Sequence, residues 1–484
     1  MFQAGCRDVT EGGLLRTIGA RGRLPLSIFV SLAIGLNSMT LQESIPTDPD
    51  ALRVVDDVAC TICGCVCDDL QMSVVGDRIV RARGACHLSE AWFLQQHTVR
   101  PPVAQIAGGE VSLETAVTRS VQILAEARWP LIYGLSRSST PGQRAAVRLA
   151  DRLHANVDTT ASICHAPSIM AIQQVGESTC TLGEIRHRAD LVVFWGVDPV
   201  HSHPRHLERY SGDVVGRFVP GGRGDRTIVV IDVAPTDTSR YADRFIPVEP
   251  DCDFEAIWAL RCLLRGWPLR HTDRLGIDHG QLVDLADLMM SCRCGVVFFG
   301  LGLARTGSGH RNVEALLRMV AELNAHTRFY ARRMRIPGDV SGADSVLCWQ
   351  TGFPFSVNLS RGYPRYAPDE YSAAQMLQRG EVDACLLVGS ESVPQMPADA
   401  VDRLRSIPTI VLDHPTVAPV IEPTVRFTTA VYGIHLPGTA YRMDEVPIPL
   451  RQVLPSSYPS DAQVLEAIER QLPPGDRPNI PGVR

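Results

Sequence analysis

Lysine is missing from all 484 residues, so every one of the 47 basic side chains is an arginine. That absence excludes a Schiff-base lysine, a lysine general base and the lysine of a phosphate-gripping Walker loop. A basic stripe is missing too. The net charge is −6 and the isoelectric point lies near 6.2, whereas a protein that binds nucleic acid by neutralising phosphates needs the opposite balance. Cysteine, at 14 residues, is too dilute for a disulfide scaffold, and its clustering suits metal ligation in a reducing compartment such as the cytoplasm. The apolar run from Leu24 to Leu36, preceded by Arg16, Arg21 and Arg23, is shorter than the roughly 20 residues of a membrane span. It looks like a signal-peptide h-region or a short transit segment. Met39, ahead of the polar stretch Gln42 to Asp50, reads equally as an ordinary chain start.

What is present is a globular, enzyme-sized chain. With 45% apolar residues it can bury a large core, and its length suggests two to four domains. Residues 1–56 read as an N-terminal extension, disordered or mis-started. Residues 57–110 read as a small domain of short strands around cysteines, because Val58 to Arg83 alternates apolar and polar positions. Residues 111–470 form the body. A helical pattern over Leu113, Ala116, Val117, Val121 and Leu124 precedes the strand Pro130 to Gly134, and a second helix follows through Ala146, Leu149, Ala150 and Leu153. Further strands are predicted at 191–196, 227–233, 295–300, 384–389 and 409–413, so the expected fold is α/β with several doubly wound, largely parallel sheets. The proline- and glycine-bearing tail, 471–484, is expected to be flexible.

The spacing Cys60-x2-Cys63-x3-Cys67-x18-Cys86 is the sharpest chemical signal. Zinc sites favour paired C-x2-C knuckles or an H-x3-H partner, and neither follows here. Three cysteines in one turn with a fourth at a distance suit a [4Fe–4S] cradle, with Cys65 an extra cysteine in the same stretch. Three strands run into polar, glycine-bearing turns of the kind that bind ligands in open α/β sheets: Gly196-Val197-Asp198-Pro199, Asp232 to Thr238, and Gly300-Leu301-Gly302. Gly196, Asp198, Pro199, Asp232, Thr236, Gly300 and Gly302 are therefore candidate cofactor-binding residues, with glycine admitting phosphate close to backbone N–H groups. His201, His203 and His206 invite a zinc reading, but no acidic or thiol ligand completes a coordination set locally, and the turn is expected to line a cofactor or substrate approach. Cys252, Cys262, Cys292, Cys294, Cys348 and Cys385 are expected to be packing residues.

The order of cluster cysteines, then Cys164-His165-Ala166-Pro167-Ser168, then Ala189 to Pro199 and Val230 to Thr236, resembles molybdopterin oxidoreductases of the formate dehydrogenase branch. Thr181 to Glu184, His203 to His206, Arg209-Tyr210, Thr351 to Phe355, Ser360 to Tyr366 and Gly438 to Asp444 resemble, more narrowly, the B subunit of formylmethanofuran dehydrogenase. The resemblance spans roughly residues 57 to 470. It implies molybdenum or tungsten held by two pyranopterin guanine dinucleotides and by the thiolate of Cys164, a soft ligand suited to such a metal. It also implies His165 as a proton-relaying neighbour and Arg335 as the group that holds a carboxylate. Cys180 is a rival ligand by residue type but lacks the following histidine. The activity implied is interconversion of formate and carbon dioxide, with electrons leaving through the cluster. The partners implied are other subunits of the complex, among them an amidohydrolase-like subunit that handles the formyl carrier. The stretch Phe353 to Tyr371 is a candidate contact or tunnel mouth, or else core.

Two departures stand out. Some members of the superfamily carry a lysine between cluster and pterin, and this chain has none. Ile336 to Val340 replaces a more polar segment expected after the arginine. A related bacterial formyltransferase/hydrolase complex can keep the corresponding subunit as a non-redox scaffold, and that is the alternative reading. All of Cys60, Cys63, Cys67, Cys86, Cys164, His165 and Arg335 are retained, which favours cofactor binding.

Overall fold

A computed structural model describes residues 51–270, 275–305 and 309–473. The apolar run at 24–36, nearly all of the expected N-terminal extension and the tail beyond Pro473 lie outside the described residues. Among those described, no helix is long and apolar enough to cross a membrane.

The body is built on two sheets. One has five strands, all parallel, in the order Arg244–Pro247, Thr227–Asp232, Leu191–Trp195, Cys294–Phe299, Arg328–Arg333. The other has nine, with a parallel centre formed by Asn156–Thr159, Pro130–Gly134, Ala384–Val388, Thr409–Asp413 and Val425–Thr428. Antiparallel additions close its edges. Runs such as Leu191–Trp195 and Ala384–Val388 are buried at every residue, as central parallel strands covered on both faces require. Trp195, fully buried, still satisfies its indole N–H by donating to Asp253 Oδ1 at 2.7 Å.

Chain order reverses within each sheet. In the five-stranded sheet the reversal falls between Leu191–Trp195 and Cys294–Phe299; in the nine-stranded sheet it falls between Pro130–Gly134 and Ala384–Val388. Such switch points open a crevice at the carboxyl ends of the strands.

A three-stranded antiparallel sheet, Arg53–Val58, Leu70–Val75 and Arg78–Arg83, carries the cysteine segment. It begins at Arg53, ahead of the boundary expected at residue 57, because Arg53, Val54 and Val55 pair with Val74, Ser73 and Met72. The boundary at 110 also shifts. Ala104–Ile106 and Gly109–Glu110 join the edge of the nine-stranded sheet rather than the cysteine-bearing sheet.

Candidate functional site

The cysteine segment folds as a tight loop closed by the Cys60 N–H, which donates to Cys67 O at 2.8 Å, and by the Val66 N–H to Cys63 O at 3.1 Å. Cys86 joins from the turn after the third strand, where its carbonyl accepts from Ser89 and Glu90 N–H, both at 2.9 Å. Cys60, Cys63, Cys65, Cys67 and Cys86 all line one cavity, which Ile62, Leu70, Ser89 and Arg205 complete. Among the described residues, no three His, Cys, Asp or Glu side chains are arranged to hold a single metal ion. A cluster spreads its thiolates over several irons rather than converging them on one.

The electrostatics of this cavity are uneven. Burial, with Cys63 and Cys67 nearby, pushes the Cys60 thiol up. Cys67 is drawn down by a hydrogen bond from Cys65 and by Arg209 and Arg205. Those arginines are held by Asp69, which accepts from Arg205 Nη1 and Nη2 at 2.7 and 2.8 Å, and by Asp68, which accepts from Arg209 Nη2 at 2.7 Å. The histidine turn thus packs over the cysteine loop. His206 Nδ1 lies 3.9 Å from Cys65 Sγ, a thiol neighbour that local sequence could not show.

Cys164 is buried at the end of the short turn Thr160–Ile163, just before the helix Ala166–Val175. Burial raises its thiol, and the Arg335 charge pulls it back. Cys164, His165 and Arg335 therefore share one buried neighbourhood. Arg335, just beyond the strand Arg328–Arg333, is 2% exposed. Its Nη2 donates to Asp344 Oδ2 at 2.5 Å, while its Nε is buried with no partner. A guanidinium N–H of this kind can bond an anion such as a carboxylate. Asp344, which no sequence motif singles out, also accepts from Thr159 Oγ1 at 2.7 Å, so both of its oxygens are engaged.

His165 is held at both ring nitrogens. A carbonyl can only accept, so its Nε2 donates to Met334 O at 3.3 Å, and its Nδ1 accepts from Ser168 Oγ at 3.3 Å. Burial, together with Arg335 and Arg333, holds the ring well below the usual histidine range, so it is neutral. Its two bonds tie the start of the helix Ala166–Val175 to the end of the strand Arg328–Arg333.

The two neighbourhoods are joined through one peptide. The Arg335 carbonyl accepts from the Gly64 N–H at 3.2 Å and from His203 Nε2 at 3.0 Å, and the Met443 N–H donates to Gly64 O at 2.8 Å. A Cβ on Gly64 would lie 2.4 Å from the Arg335 oxygen, so only glycine allows the cysteine loop to approach so closely.

The expected cofactor-binding turns converge at the switch point of the five-stranded sheet, but their N–H groups are not free. Gly196 donates to Ile231 O, Gly300 to Trp195 O and Gly302 to Gly196 O, at 2.9, 3.3 and 3.1 Å. The glycines serve close backbone packing, since a Cβ on Gly302 would meet Gly196 O at 2.8 Å. Asp198 accepts from Thr238 Oγ1 at 2.5 Å, Pro199 opens the helical turn Pro199–Ser202, and Thr236 caps Asp237–Tyr241 through a capping box. Asp232 is different. Half-buried at its strand end, it is raised by burial and accepts from backbone, the Val233 N–H lying 2.8 Å away. The corresponding crevice in the nine-stranded sheet is not among the sequence expectations. There Arg137, Gly389, Glu391, Asp413, His414 and Asp461 line a cavity beside Gly134 and Val388.

Cys180 packs half-buried against the hydrophobic cluster beneath the cysteine loop. Cys385 and Cys294 are buried, Cys252, Cys262 and Cys292 half-buried, but Cys348 is exposed on its helix, so the packing reading fails for that residue. The Phe353 to Tyr371 aromatics divide. Phe355 is core, Tyr363 is 52% exposed, and Phe353 stacks on Tyr366 with ring centres 5.1 Å apart.

This fold is shared with two solved structures. The formyltransferase/hydrolase complex of Methylorubrum extorquens, solved with methylofuran, contains a chain with TM-score 0.64 and 22% identity, covering 76% of this chain and 98% of that one. Acetylene hydratase from Pelobacter acetylenicus gives TM-score 0.62 at 11% identity, covering 86% and 69%. No protein-family model matches the chain. Among curated proteins, the B subunit of the tungsten-containing formylmethanofuran dehydrogenase 2 of Methanocaldococcus jannaschii is 38% identical over 430 residues, covering 87% of this chain and 99% of that protein. Its counterpart in Methanococcus maripaludis is 36% identical over 431 residues, with the same coverage. The B subunit of the formyltransferase/hydrolase complex of M. extorquens is 24% identical over 299 residues, covering 60% and 76%. The chain belongs to the family of formylmethanofuran dehydrogenase B subunits, which are subunits of an oxidoreductase.

Proposed function

We propose that this chain is the metallopterin subunit that interconverts formate and carbon dioxide within a multi-subunit, cytoplasmic complex. The observation that carries the reading is the single cavity lined by Cys60, Cys63, Cys67 and Cys86, joined through the Gly64 N–H to the peptide of Arg335. The residues fit the groups. Four thiolates with an arginine-rich rim suit a [4Fe–4S] cluster, and a buried thiol at Cys164 beside a cation suits molybdenum or tungsten carried by two pyranopterin guanine dinucleotides. When bound, that metal supplies the two-electron chemistry. Relatives named for tungsten favour that metal without excluding molybdenum.

The chain's own residues do the rest. Arg335 offers its unpartnered Nε–H to a carboxylate, while Asp344 holds the guanidinium in place. His165 and His203 each donate to a carbonyl of the Met334–Arg335 segment and fix its orientation. The switch-point crevices of the two sheets are where the two dinucleotides would lie, with Asp232 the acceptor at the first. The three-stranded sheet Arg53–Arg83, with Cys86 just after it, would act as the cluster-bearing part, and the chain from Ala104 onward as the pterin-binding body.

The formyl carrier is handled by an amidohydrolase-like partner subunit, since this chain has no lysine for carboxylation and, among the described residues, no metal-ion constellation. Iron analysis of two variants tests the cluster assignment. Cys63→Ser should lose iron from the anaerobically purified chain, while Cys65→Ser should keep about four irons per chain. The reverse pattern would overturn the ligand set.

A further inference from the structure

The helix that starts after Cys164 and His165 ends at Gly176 with φ +74°, and the chain then runs along the outer edge of the strand Arg328–Arg333. The Ala331 N–H donates to Ser178 O at 2.8 Å, Ser178 Oγ to Phe329 O at 3.0 Å, and Thr179 Oγ1 to Ala331 O at 3.0 Å. Arg332 Nη1 donates to Thr179 Oγ1 at 2.6 Å. These bonds fix Glu177 beside Arg333, which stands two residues before Arg335.

Glu177 is an unusual counter-ion. Its side chain is 7% exposed, its Oε2 stands 3.9 Å from Arg333 Nη2, and its Oε1 is buried with no partner. The same Arg333 nitrogen lies 3.2 Å from Glu445 Oε1, and the Glu445 side chain is 42% exposed. Two carboxylates thus flank one guanidinium, one inside and one at the surface. Asp344 has both oxygens in hydrogen bonds, and Glu445 has both facing Arg333 and Arg332, whereas Glu177 Oε1 has no partner.

We propose that Glu177 takes up the proton released at the Cys164–Arg335 site and passes it to solvent by way of Glu445. This rests on the formate reading above. Oxidation of formate breaks its C–H bond, sends two electrons to the bound metal and releases carbon dioxide and one proton. That proton is received at Glu177 Oε1 and leaves through Glu445 to bulk water, which returns Glu177 to the anion for the next turnover. The charged groups facing Glu177 are Arg333, Arg332, Glu445 and Arg335. Burial raises its carboxyl, Glu445 adds to that, and the three arginines oppose it, so the group sits above an ordinary glutamate and can hold a proton transiently.

The test uses the purified complex with Glu177→Gln, Glu177→Asp and Glu445→Gln. Glu177→Gln should lower kcat for formate oxidation by at least about a hundred-fold, with formate KM and metal content near those of the wild type. Glu177→Asp should recover part of the rate, and Glu445→Gln should enlarge the solvent deuterium isotope effect. Infrared spectra of the protein, taken without substrate, should show a carboxyl stretch that titrates with pH and is missing from Glu177→Gln. An unchanged kcat in Glu177→Gln, loss that merely follows lost metal, or titrating carboxyl bands identical in the wild type and Glu177→Gln would overturn the proposal. A wild-type complex that shows the band but turns over no formate would defeat the functional reading and the proton role with it. An active wild type with an equally active Glu177→Gln defeats the proton role alone.

Discussion

Arg335 illustrates how a buried charge is kept for use. A guanidinium taken out of water must be paired, and Asp344 supplies one charge-assisted bond at 2.5 Å while the Nε–H is left over. Lysine in its place would keep the charge but lose the planar fork that can serve Asp344 and a carboxylate together. Arg335→Lys should therefore raise KM for formate by about ten-fold or more, the worth of one charge-assisted bond, with metal content close to wild type. Steady-state kinetics beside metal analysis checks this, and lost metal with unchanged formate kinetics would contradict the role.

Asp339, also buried, has no cation as partner. It accepts from the Tyr441 and Gly342 N–H groups and from Gln143 Nε2, yet burial pushes its carboxyl up to about 8. A carboxyl raised on folding favours the folded state while protonated. That contribution is complete below the ordinary aspartate value of about 4 and is lost as pH rises through about 8. The melting temperature should accordingly fall between those limits, and the slope should flatten in Asp339→Asn. A melting temperature independent of pH in the wild type would contradict the assignment.

At the scale of elements, the decisive contact is the cysteine loop against the end of the strand Arg328–Arg333. Gly64 sits between two cysteines of the cavity and presses on the Arg335 carbonyl, where an added Cβ would come within 2.4 Å of the oxygen and 3.0 Å of Met443 Cβ. The backbone must give way, since neither obstacle is the flexible tip of a side chain. Gly64→Ala should reduce iron content and formate affinity together. A variant with full iron and unaltered formate binding would show that the contact does not couple the two sites.

Elements were also where the sequence was most informative. The strands at 191–195, 227–232, 384–388 and 409–413 form within a residue of where their apolar runs place them, because a run buried on both faces has little other use. The switch-point glycines were legible as special but not as to purpose. Their N–H groups bond to neighbouring carbonyls, which depends on how two strand ends cross and not on the local motif. Asp344 and Glu177 were invisible for a related reason. Each matters only through an arginine that folding brings beside it, and neither stands in a pattern of its own.

Over the whole molecule, the cysteine-bearing sheet, the five-stranded sheet and the nine-stranded sheet meet around the segment from Met334 to Asp339. His165 reaches it from the end of the Thr160–Ile163 turn, Gly64 and Ile62 from the cysteine loop, and Ser136 from the turn after the strand Pro130–Gly134, its carbonyl accepting the Asp339 N–H at 3.1 Å. That convergence explains how a chain without lysine keeps the cluster cavity and the Cys164 site in register: backbone carbonyls do the joining. On the proposed reading both cofactors would belong to one assembly, held by the same peptide. The most direct test is elemental analysis of the native complex, purified without air through a tag on this chain, for iron, molybdenum and tungsten. About four irons per copy of this chain are expected, together with molybdenum or tungsten that disappears in Cys164→Ala while the iron remains. A complex containing neither iron nor either heavy metal, yet fully assembled and releasing formate, would contradict the cofactor-bearing role.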